Sequence, residues 1–155
     1  MSANLRANPQ EHGGTMAPNI VMTDEPGQAA YDAILAGLIA HNEARAGPGG
    51  HHLLAVLVKD DRGKVLGGLW GSTAWQWLFV HLLWLPEGLR GAGLGSDLLR
   101  RAEAEARRRG CRNVWLDTFS FQARGFYEGL GYSVFGTLDD YPPGHRRFFL
   151  QKALS

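Results

Sequence analysis

The chain has 155 residues, of which 45% are hydrophobic and 20% charged, a size and composition typical of one globular domain with its own core. Its formal net charge of +1 gives no reason to expect nucleic acid or a membrane surface as a partner. A single cysteine, Cys111, excludes an intramolecular disulfide, and no apolar run suits a membrane span or a signal peptide, so we expect a cytoplasmic protein.

The N-terminal part is predicted to contain a leader, a short strand and a helix. Residues 1–18 are polar and lack periodicity, so we expect a flexible leader, followed by one domain over residues 19–155. Residues 20–22 predict a short strand that ends at a helix-start signature. Apolar residues at helical spacing then predict a helix over 28–44, which ends before a glycine-proline break.

Three strands are predicted to follow in succession. The first two, over 53–59 and 65–73, are joined by a tight-turn sequence that ends at Gly63. The third, over 77–85, is a continuous apolar and aromatic run, which we expect to be buried on both faces. Because the links are short, the three strands should form an antiparallel meander.

The third strand leads into the sequence Arg-Gly-Ala-Gly-Leu-Gly at residues 90–95, which we call the glycine loop. Helical spacing and i,i+4 charge pairs predict a helix over 96–109, and Gly110 is placed to end it. Glycines let backbone N–H groups approach a ligand, and the helix start adds unpaired N–H groups and positive charge. With Arg90 beside it, the loop suits a pyrophosphate.

The last third is predicted to complete one sheet. Residues 113–119 predict a strand parallel to the third, because a helical crossover joins the two. A short helix over 122–129 and an antiparallel pair over 132–138 and 146–152 follow. The order β-α-β-β-β-α-β-α-β-β describes an α/β (α+β) domain with a mixed, mostly antiparallel sheet flanked by helices.

The strand, the Arg-x-x-Gly-x-Gly loop and the amphipathic helix resemble the acyl-CoA loop of the GNAT superfamily of N-acetyltransferases. Residues 120–132, SFQARGFYEGLGY, are similar to that family's second signature: a polar residue, an alanine three on, Phe/Leu-Tyr, then glycine before an aromatic. The element order also matches over residues 19–152. The resemblance implies an acyltransferase that moves an acetyl group from acetyl-CoA to a primary amine by direct attack, without a covalent enzyme intermediate.

The resemblance also implies roles for residues at both motifs. Tyr127 would protonate the departing CoA thiolate. Ser120 stands where many relatives carry a longer asparagine that reaches the pantetheine, and Pro86 falls one place early, which bears on the register at Leu85. The pantetheine would pair with the backbone of Leu83, Trp84 and Leu85, and the pyrophosphate would be held by the glycine loop and the residue after it: Arg90, Gly91, Ala92, Gly93, Leu94, Gly95 and Ser96.

Two residues are candidates for the base that takes the amine proton. His81 stands where many relatives have an acidic residue, and a histidine titrates near neutral pH, but a hydrogen-bonded core residue is an equal alternative. Asp117 could act as base, as partner of His81, or only structurally. His145 lies in a loop that also contains acidic residues. In this family the corresponding loop lines the acceptor side. His51 and His52 lack metal-ligand spacing, so no metal is expected.

Two other functions agree less well with the sequence. A dinucleotide enzyme would need G-x-G-x-x-G, whereas the loop has glycines at every second position and follows an antiparallel meander. A non-catalytic CoA-binding or regulatory module of the same fold remains an alternative, although Tyr127 argues against it. The acceptor amine is open, and so is a homodimer, which is frequent among the relatives.

Overall fold

The computed structural model describes residues 17–155, so most of the predicted leader lies outside the described residues. The chain divides into two compact units, one up to His41 and one from Asn42 to Ser155. In the described chain the helices are α1 (Gly27–Ala46), α2 (Leu94–Arg108) and α3 (Arg124–Gly129), with a short 3-10 turn at Glu87–Leu89. The strands are β1 (His52–Lys59), β2 (Val65–Ala74), β3 (Trp77–Trp84), β4 (Asn113–Phe119), β5 (Ser133–Asp139) and β6 (Arg146–Ala153).

The predicted strand over 20–22 is wrong. These residues have no regular structure, and Ile20 and Met22 are 97% and 99% exposed. Three apolar residues form a strand only when a neighbouring strand takes up their backbone N–H and C=O groups, and the six-stranded sheet begins later, with β1. The helix predicted to follow is confirmed as α1, and the left-handed Gly47 (φ 79°) comes directly after it.

The sheet has the strand order β1-β2-β3-β4-β6-β5. All neighbours are antiparallel except β3 and β4, which α2 connects as a parallel pair. The predicted meander, the parallel crossover and the final antiparallel pair are therefore confirmed. The turn between β1 and β2 also has the predicted chemistry, because the Asp60 carboxylate accepts the N–H groups of Arg62 and Lys64 and Gly63 adopts φ 82°.

The core lies between one face of the sheet and α2. Gly110, with φ 84°, ends α2 as predicted. The expectation that β3 is buried on both faces is wrong: Leu78 and Val80 are buried, whereas Trp84 is 58% exposed. An apolar run does not distinguish one buried face from two, and only the α2-facing side of β3 is in the core. The most deeply buried side chains are Leu69, Leu78, Leu99, Val114, Leu116 and Leu150.

One charged residue of α2 is buried with its partners. Glu103 is only 3% exposed. Its carboxylate accepts hydrogen bonds from the Tyr132 hydroxyl at 2.8 Å and from Lys152 Nζ at 2.9 Å, whereas Arg107 lies 3.7 Å away. These bonds tie α2 to β6 and to the residue before β5.

No helix in the described part of the chain is long and apolar enough to cross a membrane.

Candidate functional site

The two parallel strands of the sheet stop pairing before they end, and we call the gap between their unpaired ends the cleft. β3 and β4 are paired only from Trp77–Asn113 to Val80–Leu116, although both strands continue beyond that point. On its other side β3 stays paired with β2 as far as Trp84. The backbone of residues 82–85 therefore faces the cleft without a strand partner, as the predicted pairing with a pantetheine arm requires.

A β-bulge lies where the strands diverge. Gly71 of β2 pairs with Val80, but the next residue, Trp70, pairs with Leu82, so His81 is the extra residue of β3. A bulge re-aims a side chain and interrupts the ladder, and bulges are frequent beside active sites. The bulge places His81 at the mouth of the cleft.

The glycine loop follows the end of β3 and the 3-10 turn, and it starts α2. Gly91 and Gly93 have φ of 83° and 80°, a left-handed conformation that strongly favours glycine. Gly93 is the N-cap of α2, and no side chain caps the helix. The first N–H groups of α2, beginning at Leu94, are therefore available to a ligand.

The side chains beside the loop are partly engaged with it. Arg90 Nε donates to the Leu85 carbonyl oxygen at 2.8 Å, which fixes the guanidinium between the end of β3 and the loop. The Ser96 hydroxyl donates to the Gly93 carbonyl oxygen at 2.8 Å, so only its lone pairs are left for another partner. A Cβ at Gly95 would lie 3.4 Å from the Phe126 ring, because α2 and α3 approach closely here.

Tyr127 of α3 is buried to 7% exposure against the rings of Phe126 and Tyr132. Burial, and next the charge of Asp117, raise the pKa of its phenol to about 12. The side chain is therefore protonated at neutral pH and can donate a proton. Its hydroxyl makes no hydrogen bond within the described residues.

His81 is exposed rather than part of the core, and its imidazole has a defined environment. The ring stacks on Phe79 with centroids 4.1 Å apart, and Nε2 lies 2.8 Å from the Ser72 hydroxyl. The partial burial of the ring, and next the nearby His51, lower the pKa of the imidazole below its usual 6.5. A neutral ring that bonds Ser72 through Nε2–H presents Nδ1 as a proton acceptor.

Asp117 lies on β4 one residue beyond the last β3–β4 pair, but its partner is not His81. Arg147 of β6 donates to Asp117 Oδ1 through Nε at 2.9 Å and through Nη2 at 2.8 Å. The carboxylate thus has a structural ion pair, one of the alternatives that the sequence left open. Its charge still acts on the Tyr127 phenol.

Ser120 joins the end of β4 to the start of β6. Its Oγ accepts the Arg146 N–H at 3.1 Å and lies 3.3 Å from His145 Nδ1. The Gln122 side chain holds the following turn, since its Oε1 accepts the Phe119 N–H at 2.8 Å.

Sequence reasoning missed Ser72 and Arg147, which hold His81 and Asp117. The alternation of side chains along β2 and β6 could have assigned Ser72 and Arg147 to a face of the sheet. It does not show which residues of the neighbouring strands they contact. Among the described residues, no group of three or more His, Cys, Asp or Glu side chains could hold a metal ion.

Several known proteins are similar to this chain in sequence or in fold. The acetyltransferase (GNAT) family profile matches residues 21–132. Blasticidin-S acetyltransferase of Streptomyces morookaense is 50% identical over 95 residues, which cover 61% of this chain and 70% of that protein. Acetyltransferase Atu2258 of Agrobacterium fabrum (strain C58) is 39% identical over 134 residues, or 86% and 98% of the two chains. A crystal structure of an acetyltransferase from Agrobacterium tumefaciens superposes with a TM-score of 0.84 at 38% identity, over 88% of this chain and 99% of that one.

Proposed function

Since the chain belongs to the GNAT family of acetyltransferases and is an acyltransferase, we propose that it transfers the acetyl group of acetyl-CoA to a primary amine by direct attack. The observation that carries this proposal is the cleft between β3 and β4. Uncapped N–H groups at the glycine loop lie at one end of it, and His81 lies where the strands part.

Acetyl-CoA would lie along the cleft. The pyrophosphate would accept hydrogen bonds from the N–H groups of the glycine loop, with the Arg90 guanidinium adding charge. The pantetheine amides would pair with the free edge of residues 82–85, as a strand added to β3 would. The thioester would then lie between β3 and β4, near Tyr127.

The reaction needs one base and one acid. His81 Nδ1 would take a proton from the ammonium group, directly or through water, and the neutral amine would attack the thioester carbon. When the carbon–sulfur bond of the tetrahedral intermediate breaks, the Tyr127 hydroxyl would protonate the thiolate. The products are the N-acetylated amine and CoA. Arg147 would keep the Asp117 carboxylate in place near Tyr127.

The relative's name suggests the first acceptor to assay. Because blasticidin-S acetyltransferase is 50% identical over 95 residues, blasticidin S heads the panel, followed by polyamines, amino acids and aminoglycosides. A cytoplasmic location is part of the proposal, since acetyl-CoA is made and consumed there.

The test is acetyl-CoA-dependent acetylation of this panel, with free CoA measured by thiol titration and the acetylated amine by mass spectrometry. We expect CoA and an N-acetyl product to appear in equal amounts. CoA release at the same rate with and without an amine would indicate a hydrolase and overturn the proposal.

A further inference from the structure

Aromatic side chains cluster where β4 ends and the β5–β6 loop returns. Phe119 and Phe121 are stacked with centroids 5.2 Å apart and planes 3° from parallel. Tyr141 lies edge-on to Phe119 at 5.8 Å, and His145 edge-on to Phe121 at 4.9 Å. We call these four residues the ring cluster. Phe121 is 56% exposed and Tyr141 46%, so ring surface is available to a ligand.

The carboxylates near the ring cluster are largely engaged. Asp117 is paired with Arg147 at 2.8 Å, and Asp139 with Arg146 at 3.1 Å. The third, Asp140, accepts the Gly144 N–H at 2.8 Å. Two of the three carboxylates are therefore paired with a guanidinium. A ligand of this region would contact mainly the exposed rings rather than an unpaired carboxylate.

The ring cluster adjoins the proposed site of chemistry. Arg147, which holds Asp117, also lies over the rings of Phe119 and Tyr141 at 5.3 and 5.5 Å. Phe119 follows Asp117 by two residues on one strand face, which corresponds to about 7 Å. An acceptor that spans this spacing would separate its amine from its ring by on the order of 7 Å.

We propose that the ring cluster is the acceptor subsite for a planar unsaturated ring, so that the preferred substrates are amines carried on a flat ring system. The proposal rests on the proposed function and narrows its substrate class. An unsaturated ring would stack on the exposed face of Phe121, with the edge of His145 beside it. A saturated ring of the same size has no π-face and is puckered, so it loses this stacking while keeping nearly the same apolar area.

The test compares 4-phenylbutylamine with its saturated counterpart, 4-cyclohexylbutylamine. Four methylenes separate the amine from either ring, so the basicity of the two amines is matched. Aromatic stacking predicts a KM about 3- to 10-fold lower for the phenyl compound in the wild-type enzyme, with similar kcat. Phe121→Leu should abolish this preference by raising the KM of the phenyl compound, while the KM of acetyl-CoA stays unchanged.

The matched control is Phe135→Leu, since Phe135 is also a half-exposed ring but lies on β5, outside the ring cluster. It should keep the wild-type preference. Equal KM values for the two amines in the wild type, or a preference that survives Phe121→Leu, would overturn the subsite.

Failure of the proposed function gives a different result, because neither amine would then be acetylated. In that case the subsite is tested by equilibrium binding of 4-phenylbutanol and 4-cyclohexylbutanol, followed by ligand-observed NMR. Saturation transfer to the phenyl compound that is lost in Phe121→Leu supports the subsite. Equal transfer to both alcohols, or none, rejects it.

Discussion

Tyr127 combines a ring packed in the core with a phenol that stays protonated in the neutral range. Its ring completes the wall formed by Phe126 and Tyr132, and the same burial raises the pKa of the phenol to about 12. The hydroxyl stays protonated throughout the neutral range and still has no hydrogen-bond partner within the described residues. A protonated hydroxyl without an internal partner is free to form the hydrogen bond to the thiolate that we propose.

Tyr127→Phe should therefore separate chemistry from packing, because it removes only the hydroxyl. General acid catalysis contributes about 10²- to 10⁴-fold, so we expect kcat to fall within that range. The Kd of acetyl-CoA should change little, since the lost interaction forms mainly in the transition state. Steady-state kinetics and calorimetry check the two effects. Chemistry-limited turnover near the wild-type value would leave Tyr127 with a packing role only.

A pH profile tests His81. Because burial and His51 lower its pKa below 6.5, the imidazole is neutral at pH 7 and becomes protonated, and unable to accept, only as the pH falls through that lowered pKa. We expect His81→Gln to lose about 10²-fold in kcat/KM at pH 7, with the deficit shrinking as the pH approaches the pKa of the amine. Ser72→Ala, which keeps the imidazole, should lose much less. If kcat/KM of His81→Gln is reduced by the same factor at every pH, His81 is not the base.

For individual residues, the sequence indicated candidate functional side chains but not the residues that they contact. Tyr127 and His81 were singled out from motif position and residue type, and their roles remain predictions. The partner of Asp117 was not predicted, because Arg147 lies 30 residues away on a strand that only the folded sheet brings alongside. For the same reason the Ser72 contact with His81 could not be seen in the sequence.

Among the elements, the glycine loop was the most predictable, because its backbone conformation requires its residue types. Gly93 has φ 80°, and a Cβ there would meet nothing closer than the Ser96 Oγ at 4.0 Å. Gly93→Ala therefore costs backbone strain of about 1–2 kcal/mol rather than a clash.

We expect Gly93→Ala to weaken acetyl-CoA binding at least about 10-fold by calorimetry and to lower Tm by a few degrees, since a strained loop no longer presents its N–H groups correctly. Gly88→Ala is the matched control. Gly88 has no positive φ and open space around its Cβ position, so binding and Tm should both remain at the wild-type level. Equal affinity in the two variants would show that the pyrophosphate lies elsewhere.

The link between α2 and β6 makes a second prediction at the scale of elements. Lys152→Met keeps the aliphatic stem but leaves the buried Glu103 carboxylate with Tyr132 as its close donor, which should lower the free energy of unfolding by about 3 kcal/mol. Arg101→Met breaks the exposed Asp97–Arg101 pair and should leave stability nearly unchanged. Urea denaturation of both variants compares the two pairs. An equal loss of unfolding free energy in the two variants would show that the burial of an ion pair does not determine how much its removal destabilises the protein.

For the whole molecule, the sequence predicted most elements and the topology, but not the divergence of β3 and β4. Periodicity and turn residues determine local structure, so the meander, the crossover and the final hairpin were recoverable. The cleft arises because pairing stops at Val80–Leu116 and the bulge follows at His81, and neither event has a residue signature of its own. The strand over 20–22 failed for the related reason that a strand needs a partner.

The divergence predicts how acetyl-CoA should change the dynamics of the molecule. If the pantetheine pairs with β3, amides on the open edge of residues 82–85 become hydrogen-bonded, and the glycine-loop amides become bonded to phosphate. Binding also stabilises the whole fold, by about 2.7 kcal/mol at a ligand concentration 100-fold above Kd. Hydrogen exchange by mass spectrometry should therefore show slower exchange in both segments, well beyond the global stabilisation.

The tight turn between β1 and β2 provides the internal control for that experiment. The N–H groups of Arg62, Gly63 and Lys64 bond to the carbonyl and carboxylate of Asp60. No part of the proposed CoA path reaches them, so their exchange should follow local opening with and without acetyl-CoA. Protection confined to the glycine loop would mean that phosphate binds there while the pantetheine does not pair with β3. Protection of neither segment, with Tm still raised, would place the acetyl-CoA site outside the cleft.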